Sequence, residues 1–340
     1  MPILNEQDWL PTHILNHNNE ERKVGIEIEL AGVTPEQLTD SVIRHFGGKC
    51  ARHSSFEFTL ENTRLGKFKI ELDAAYLKTL GAYLEQSPNI QDENSLEGIA
   101  TDIITKAAEQ FIPWELITPP IAIKQLSEIK KLIATLRDEG ALGTRNSLRY
   151  AFGLHLNPEL PNLETDTIVR YFRAYLCLYD WLADHDQIDL SRKLSSYISH
   201  FNKDYIQQVV DTSYQPTQAQ LIDDYIEANP SRNRSLDLLP LFTYLDEKRV
   251  RKHLKDPRIK GRPTFHYRMP NCDIDNPDWN LDHPWQAWLQ VEALANNPQK
   301  LHQVCKQYAE YLDTLLATYD NEWLHQTHLW LKAENSNHAG

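Results

Sequence analysis

The chain has 340 residues and a formal net charge of −13, with 41% hydrophobic and 24% charged residues, the composition of a globular protein. The negative charge disfavours non-specific binding to nucleic acid or anionic membranes, and no apolar run approaches the ~20 residues that span a bilayer. The four cysteines (Cys50, Cys177, Cys272 and Cys305) form no CxxC pair, and the N-terminus Met1-Pro2-Ile3-Leu4-Asn5-Glu6-Gln7 lacks a signal-peptide pattern. A reduced, cytoplasmic protein without a zinc cluster or disulfide framework is expected.

The first clear element is the strand Val24-Gly25-Ile26-Glu27-Ile28-Glu29-Leu30. Side chains alternate across a strand, so Val24, Ile26, Ile28 and Leu30 form an aliphatic face, and Glu27 and Glu29 share the other. Two carboxylates about 7 Å apart along a strand repel unless a cation sits between them. Thr34, Pro35 and Glu36 open a short helix that ends at Gly47-Gly48. Strands follow at Phe56–Glu61 and Lys67–Asp73. The second places Lys67, Lys69, Glu71 and Asp73 on one face, so Glu71 competes with Asp73 as a ligand candidate. A helix is expected over Ser95–Gln110, then the strand Trp114–Thr118, carrying Glu115, before Pro119-Pro120. Ile121–Glu139 reads as a helix closed by Gly140. Leu148–Asn157 alternates again, with Arg149, His155 and Asn157 on its polar face.

Asp166–Asp186 is a long aromatic-rich helix whose Tyr171, Phe172, Tyr175, Tyr179 and Trp181 read as core. Ser191–Phe201 is irregular and carries Arg192. Helices are predicted over Lys203–Asp211, Gln218–Ala228 and Asp237–Leu245. A last strand, Thr264–Met269, opposes His266 and Arg268 to an aromatic face. Pro277–Asn296 and Pro298–Ala333 read as helices, with Trp279, Trp285 and Trp288 in the core. Six strands with one apolar and one polar face predict an α+β fold: a mostly antiparallel sheet of about six strands with helices on one face, plus C-terminal helices. There is no GxxxxGK[ST] loop, GxGxxG turn, GxSxG elbow or HExxH pair. A nucleotide would therefore be held by metals and arginines. The polar faces carry acids, imidazole and arginine, which suit metal binding and recognition of phosphate or carboxylate.

Taken in order, Gly25-Ile26-Glu27-Ile28-Glu29, Asp73, Glu115-Leu116-Ile117-Thr118-Pro119-Pro120, Gly153-Leu154-His155-Leu156-Asn157, Arg232-Asn233-Arg234-Ser235-Leu236-Asp237-Leu238 and Thr264-Phe265-His266-Tyr267-Arg268 resemble the putative amidoligase family. That family sits within the carboxylate–amine ligase superfamily of glutamine synthetase and glutamate–cysteine ligase. The resemblance covers roughly Lys23 to Asn271. It implies a glutamine synthetase-like funnel of antiparallel strands, with ATP at one end, a carboxylate at the other and Mg²⁺ or Mn²⁺ between them. It implies that the carboxylate is phosphorylated and that an amine then attacks the acyl phosphate. Carried over by position, Glu27, Glu29, Asp73 and Glu115 match metal ligands. His155 matches a metal ligand or phosphate contact, and Arg268 matches the arginine that stabilises the transferring phosphoryl group. Arg192, Arg232 and Arg234 are further candidates for phosphate or substrate carboxylate. His266 departs from the family's glutamate two residues before the final arginine; as a ligand it favours Mn²⁺ over Mg²⁺.

The implied organisation is an N-terminal extension over residues 1–22, a catalytic domain over 23–275 and a helical extension over 276–340. The expected activity is an ATP-dependent ligase for small-molecule carboxylates and amines (amino acids, peptides or polyamines), with neither nucleic acid nor membrane as partner. An oligomer is compatible with the sequence. A phosphotransferase on the same fold and a non-catalytic nucleotide-binding scaffold are the alternatives.

Overall fold

The computed structural model describes residues 9–72, 114–144, 152–188, 199–314 and 321–338, the last with side chains to Lys332. The chain forms two compact units. One comprises Lys23–Asn157 with Asn271–Leu281; the other comprises Ile3–Arg22, Pro158–Pro270 and Asp282–Gly340. The fold is mixed α/β with antiparallel pairing throughout the named strands below. The described residues hold nine strands where six are predicted.

In the first unit, β1 (Lys23–Leu30) is central, and its aliphatic face is fully buried at Val24, Ile26, Ile28 and Leu30. Each such side chain contributes about 2 kcal/mol, which pins the register and turns Glu27 and Glu29 to the opposite face. Helix α1 (Pro35–Phe46) starts at a capping box in which Thr34 accepts from the Gln37 N–H and the Gln37 side chain accepts from the Thr34 N–H. Its Phe46 stacks on Phe68 at 5.2 Å between ring centroids. Strands β2 (Lys49–Arg52), β3 (Glu57–Thr63), β4 (Gly66–Leu72) and β5 (Trp114–Ile117) lead back to β1, in the order β2-β3-β4-β5-β1. The predicted helix over 121–139 begins late. Ile121–Ala122 instead forms β6, paired with the start of β1, and a 3₁₀ turn follows before α2 (Leu126–Asp138). Strand β7 (Leu154–Pro158) flanks β1 on its other side, where the Glu29 N–H donates to the Gly153 carbonyl at 3.0 Å.

Residues 271–281 return to this unit by specific bonds. Thr144 donates its N–H to the Cys272 carbonyl at 2.8 Å, and Arg137 donates to the Ile274 carbonyl at 2.6 Å. Gly143 permits the approach, since a Cβ there would lie 1.9 Å from the Cys272 carbonyl oxygen.

The second unit is mainly helical. Its core is α3 (Thr165–His185), where Tyr171, Phe172 and Tyr175 are fully buried. Around it run α4 (Lys203–Val210), α5 (Gln218–Ala228), α6 (Leu239–His253), α7 (Asp282–Ala295), α8 (Pro298–Leu312) and α9 (Glu322–His338). The predicted stop at Leu245 marks a break within α6. Asp246 leaves helical geometry, and its carboxylate caps the next turn by accepting from the Arg249 N–H at 2.9 Å. A buried ion pair, Arg22 with Glu292 at 2.6 Å, is completed by Tyr171 and Trp288, which both donate to Glu292. The short strands β8 (Leu236–Asp237) and β9 (His266–Tyr267) pair so that Asp237 faces His266. Trp285 and Trp288 are fully buried, and Trp279 of the first unit nearly so. Among the described residues, no helix is long and apolar enough to cross a membrane.

Candidate functional site

Sheet register assembles the acids of the first unit. Glu29 on β1 lies opposite Glu115 on β5, Glu115 opposite Glu71 on β4, and Glu71 opposite Glu57 on β3. One rung across four strands thus carries four carboxylates, an arrangement that destabilises a sheet unless cations intervene. At one end the cation is Lys69, whose Nζ lies 3.0 Å from Glu57 and 2.5 Å from Glu71. Glu71 is therefore an ion-pair partner, and Glu115 and Glu29 make up the other end.

Strand β7 supplies the groups that face Glu27 and Glu29. His155 lies between them, with Nδ1 3.2 Å from Glu27 Oε2 and Nε2 3.4 Å from Glu29 Oε1. Asn157 donates to the other oxygen of Glu27 at 3.0 Å, and the Gly153 N–H donates to Glu29 Oε2 at 2.6 Å. Glu27, His155 and Asn157 are buried, while Glu29 and Glu115 are half-buried. Glu29, Glu115 and His155 each offer one donor atom, and all three lie within 4.8 Å of one another. Four of the predicted residues, Glu27, Glu29, Glu115 and His155, are thus gathered on one face. Asn157 and the Gly153 N–H are additions. Asn157 shares the polar face of its strand with His155, a signal that was available in the alternation. Asp73 and Arg192 lie outside the described residues.

In the second unit, β9 carries His266 and leads into Arg268, both buried. Arg268 is fixed at its backbone by a bond to the Ser235 carbonyl at 2.9 Å and at its guanidinium by one to the Arg232 carbonyl at 3.0 Å. Arg232 is held below the usual arginine range by burial and then by the neighbouring charge of Arg268. Asp237, which the sequence reading left without a role, lies fully buried beside these arginines. Burial pushes its carboxyl up to about 6, against the pull of the Leu239 N–H and of Arg268, Arg232 and Arg262. Arg234 is engaged elsewhere: it donates to Asn229 Oδ1 at 2.7 Å, and its guanidinium lies 5.9 Å from the centre of the Phe201 ring. Of the arginines around β8, Arg232 and not Arg234 is therefore grouped with Arg268.

The first unit can hold a divalent cation with oxygen and imidazole donors; the second gathers guanidinium charge suited to an anion. A family model described as a putative amidoligase enzyme matches residues 20–290. No curated protein and no solved structure matches the chain significantly. The match spans most of both units and includes every site residue named above, and the chain belongs to the putative amidoligase enzyme family, a family of ligases.

Proposed function

We propose that the protein is an ATP-dependent carboxylate–amine ligase that forms an amide through an acyl phosphate. The supporting observation is the convergence of Glu29, Glu115 and His155 on one sheet face, in a chain whose family is described as an amidoligase enzyme. The donor set fits a hard divalent ion. Two carboxylates from neighbouring strands and one imidazole suit Mg²⁺ or Mn²⁺, and facing glutamates on a rung gain most from such a charge. Glu29, Glu115 and His155 are the residues that would hold it. Glu27 orients His155 through the second ring nitrogen and is itself fixed by Asn157. Such an ion, when bound, neutralises phosphoryl charge.

In the proposed reaction, a substrate carboxylate oxygen takes the γ-phosphoryl group of ATP, and ADP leaves. The amine nitrogen then attacks the acyl carbon, loses a proton and expels phosphate. Phosphoryl transfer of this kind depends on positioning and charge stabilisation more than on covalent help from the protein. Arg268 is assigned to the charge of the transferring group. Arg232 is assigned to phosphate or substrate carboxylate. His266 is assigned a part in metal preference. The use of ATP suits the cytoplasmic setting expected from the sequence.

The test is phosphate and ADP release across a panel of amino acids, peptides and polyamines with Mg²⁺ or Mn²⁺. Release that needs both a carboxylate and an amine supports the ligase. A phosphorylated product released over many turnovers, with no amide formed when amine is added, would make the protein a phosphotransferase, and nucleotide binding without turnover would make it a scaffold.

A further inference from the structure

The end of α3 carries a second group of metal-type side chains that the ligase reading does not use. His185 is the last residue of the helix, Asp186 is its C-cap, and His283 sits in the first turn of α7. Each offers one donor atom, and these three atoms lie within 4.8 Å of one another. We propose that His185, Asp186 and His283 form a structural site for a divalent transition metal of the zinc class, tying the end of α3 to the start of α7.

Four observations carry this. The donor set is two imidazoles and one carboxylate, of which the imidazoles are borderline ligands that favour Zn²⁺ and its neighbours over Mg²⁺. The Nε2 atom of His185 is buried and has no hydrogen-bond partner among the described residues. A bound ion or water is among the partners that satisfy a buried polar atom in that state. The surroundings also supply an outer bond of the kind that orients metal ligands. The Tyr267 hydroxyl donates to Asp186 Oδ2 at 3.4 Å. The C-terminal end of a 21-residue helix adds a partial negative charge that favours a cation.

Donors around tetrahedral Zn²⁺ stand roughly 3.4 Å apart, from bonds of about 2.0–2.1 Å. Closing the site therefore needs the donors to draw together by ~1 Å and the rings of His185 and His283, stacked at 10° between planes, to turn so that both lone pairs face the ion, with water in the fourth position. The sequence argument against a zinc cluster concerns cysteine spacing. Here the ligands are histidine and aspartate, and two of them are 98 residues apart.

The test uses the full chain carrying Glu29→Gln and Glu115→Gln, which disable the proposed centre of the first unit. After chelation and dialysis, the protein is titrated with Co²⁺ and Zn²⁺ and examined by visible absorption and X-ray absorption spectroscopy. The expected result is one bound ion with the absorption of a four-coordinate Co²⁺ centre and imidazole scattering around it. Adding His185→Ala or His283→Ala should weaken binding by at least ~10-fold. No bound metal in the Glu29→Gln/Glu115→Gln protein, or a bound ion without imidazole ligands, would overturn the proposal. Because both readings come from a protein with α3 and α7 intact, misfolding of the histidine variants would leave the decision to the spectrum. The site is independent of the ligase reading and can fail alone.

Discussion

Asp237→Asn should stabilise the protein at neutral pH. The carboxyl of Asp237 is fully buried and raised from an ordinary 3.8 to about 6, with burial as the largest cause. At 1.36 kcal/mol per unit of pKa, the difference of about two units corresponds to about 3 kcal/mol. A raised acid pKa means that the folded state binds the proton more tightly than the unfolded state. Stability is then fully present below about 3.8, falls as pH rises toward about 6, and stays lower above it. Asparagine copies the neutral form and keeps an oxygen to accept from the Leu239 N–H. The variant should therefore gain about 3 kcal/mol at pH 7.5 and about 1 kcal/mol at pH 4.5. Urea unfolding followed by tryptophan fluorescence at the two pH values measures this. A gain that does not change with pH, or a loss at pH 7.5, would refute the argument that burial dominates over Arg232, Arg262 and Arg268. A carboxylate retained at that cost beside three arginines points to function, so turnover should fall in the same variant.

Arg268→Lys keeps the charge but loses the planar fork, and turnover should drop by ~10³ while the melting temperature changes little; rate and melting curve are measured on the same preparation. His266→Glu should shift the ratio of Mg²⁺-supported to Mn²⁺-supported activity toward Mg²⁺, and equal ratios in both proteins would remove His266 from any role in metal preference. Arg22→Met breaks the buried pair with Glu292 and leaves that carboxylate uncompensated. It should cost about 3–5 kcal/mol in denaturant unfolding, whereas replacing both partners together, with methionine at Arg22 and leucine at Glu292, should recover only part of the loss, because Tyr171 and Trp288 then lose their acceptor.

Much of the metal-type face was legible in alternation. A period of two put Glu27 with Glu29 and His155 with Asn157, because a strand with one buried side leaves no freedom in which residues face the other way. What alternation cannot show is register. The rung of Glu29, Glu115, Glu71 and Glu57 exists only once β1, β5, β4 and β3 are paired. Glu71 is held by Lys69, two residues away on the same strand face, while Asp73 lies outside the described residues. Short elements were missed for a physical reason. The two residues of β6 and of β8 hold no periodicity, and their conformation comes from the strands they join. One predicted helix over 298–333 proved to be α8 and α9, since apolar spacing continues across a break that the chain takes at Asp313. Asp237 falls in a segment that carries the resemblance but had no role of its own, because its chemistry comes from burial, which is a property of the fold.

The proposed acyl phosphate has a direct test. A carboxylate substrate from the release screen is labelled with oxygen-18 in its carboxylate, and the phosphate formed with ATP and amine is analysed by mass spectrometry. Transfer of the γ-phosphoryl group to the carboxylate oxygen predicts a single labelled oxygen in each phosphate released. Amide formation accompanied by unlabelled phosphate would contradict the account.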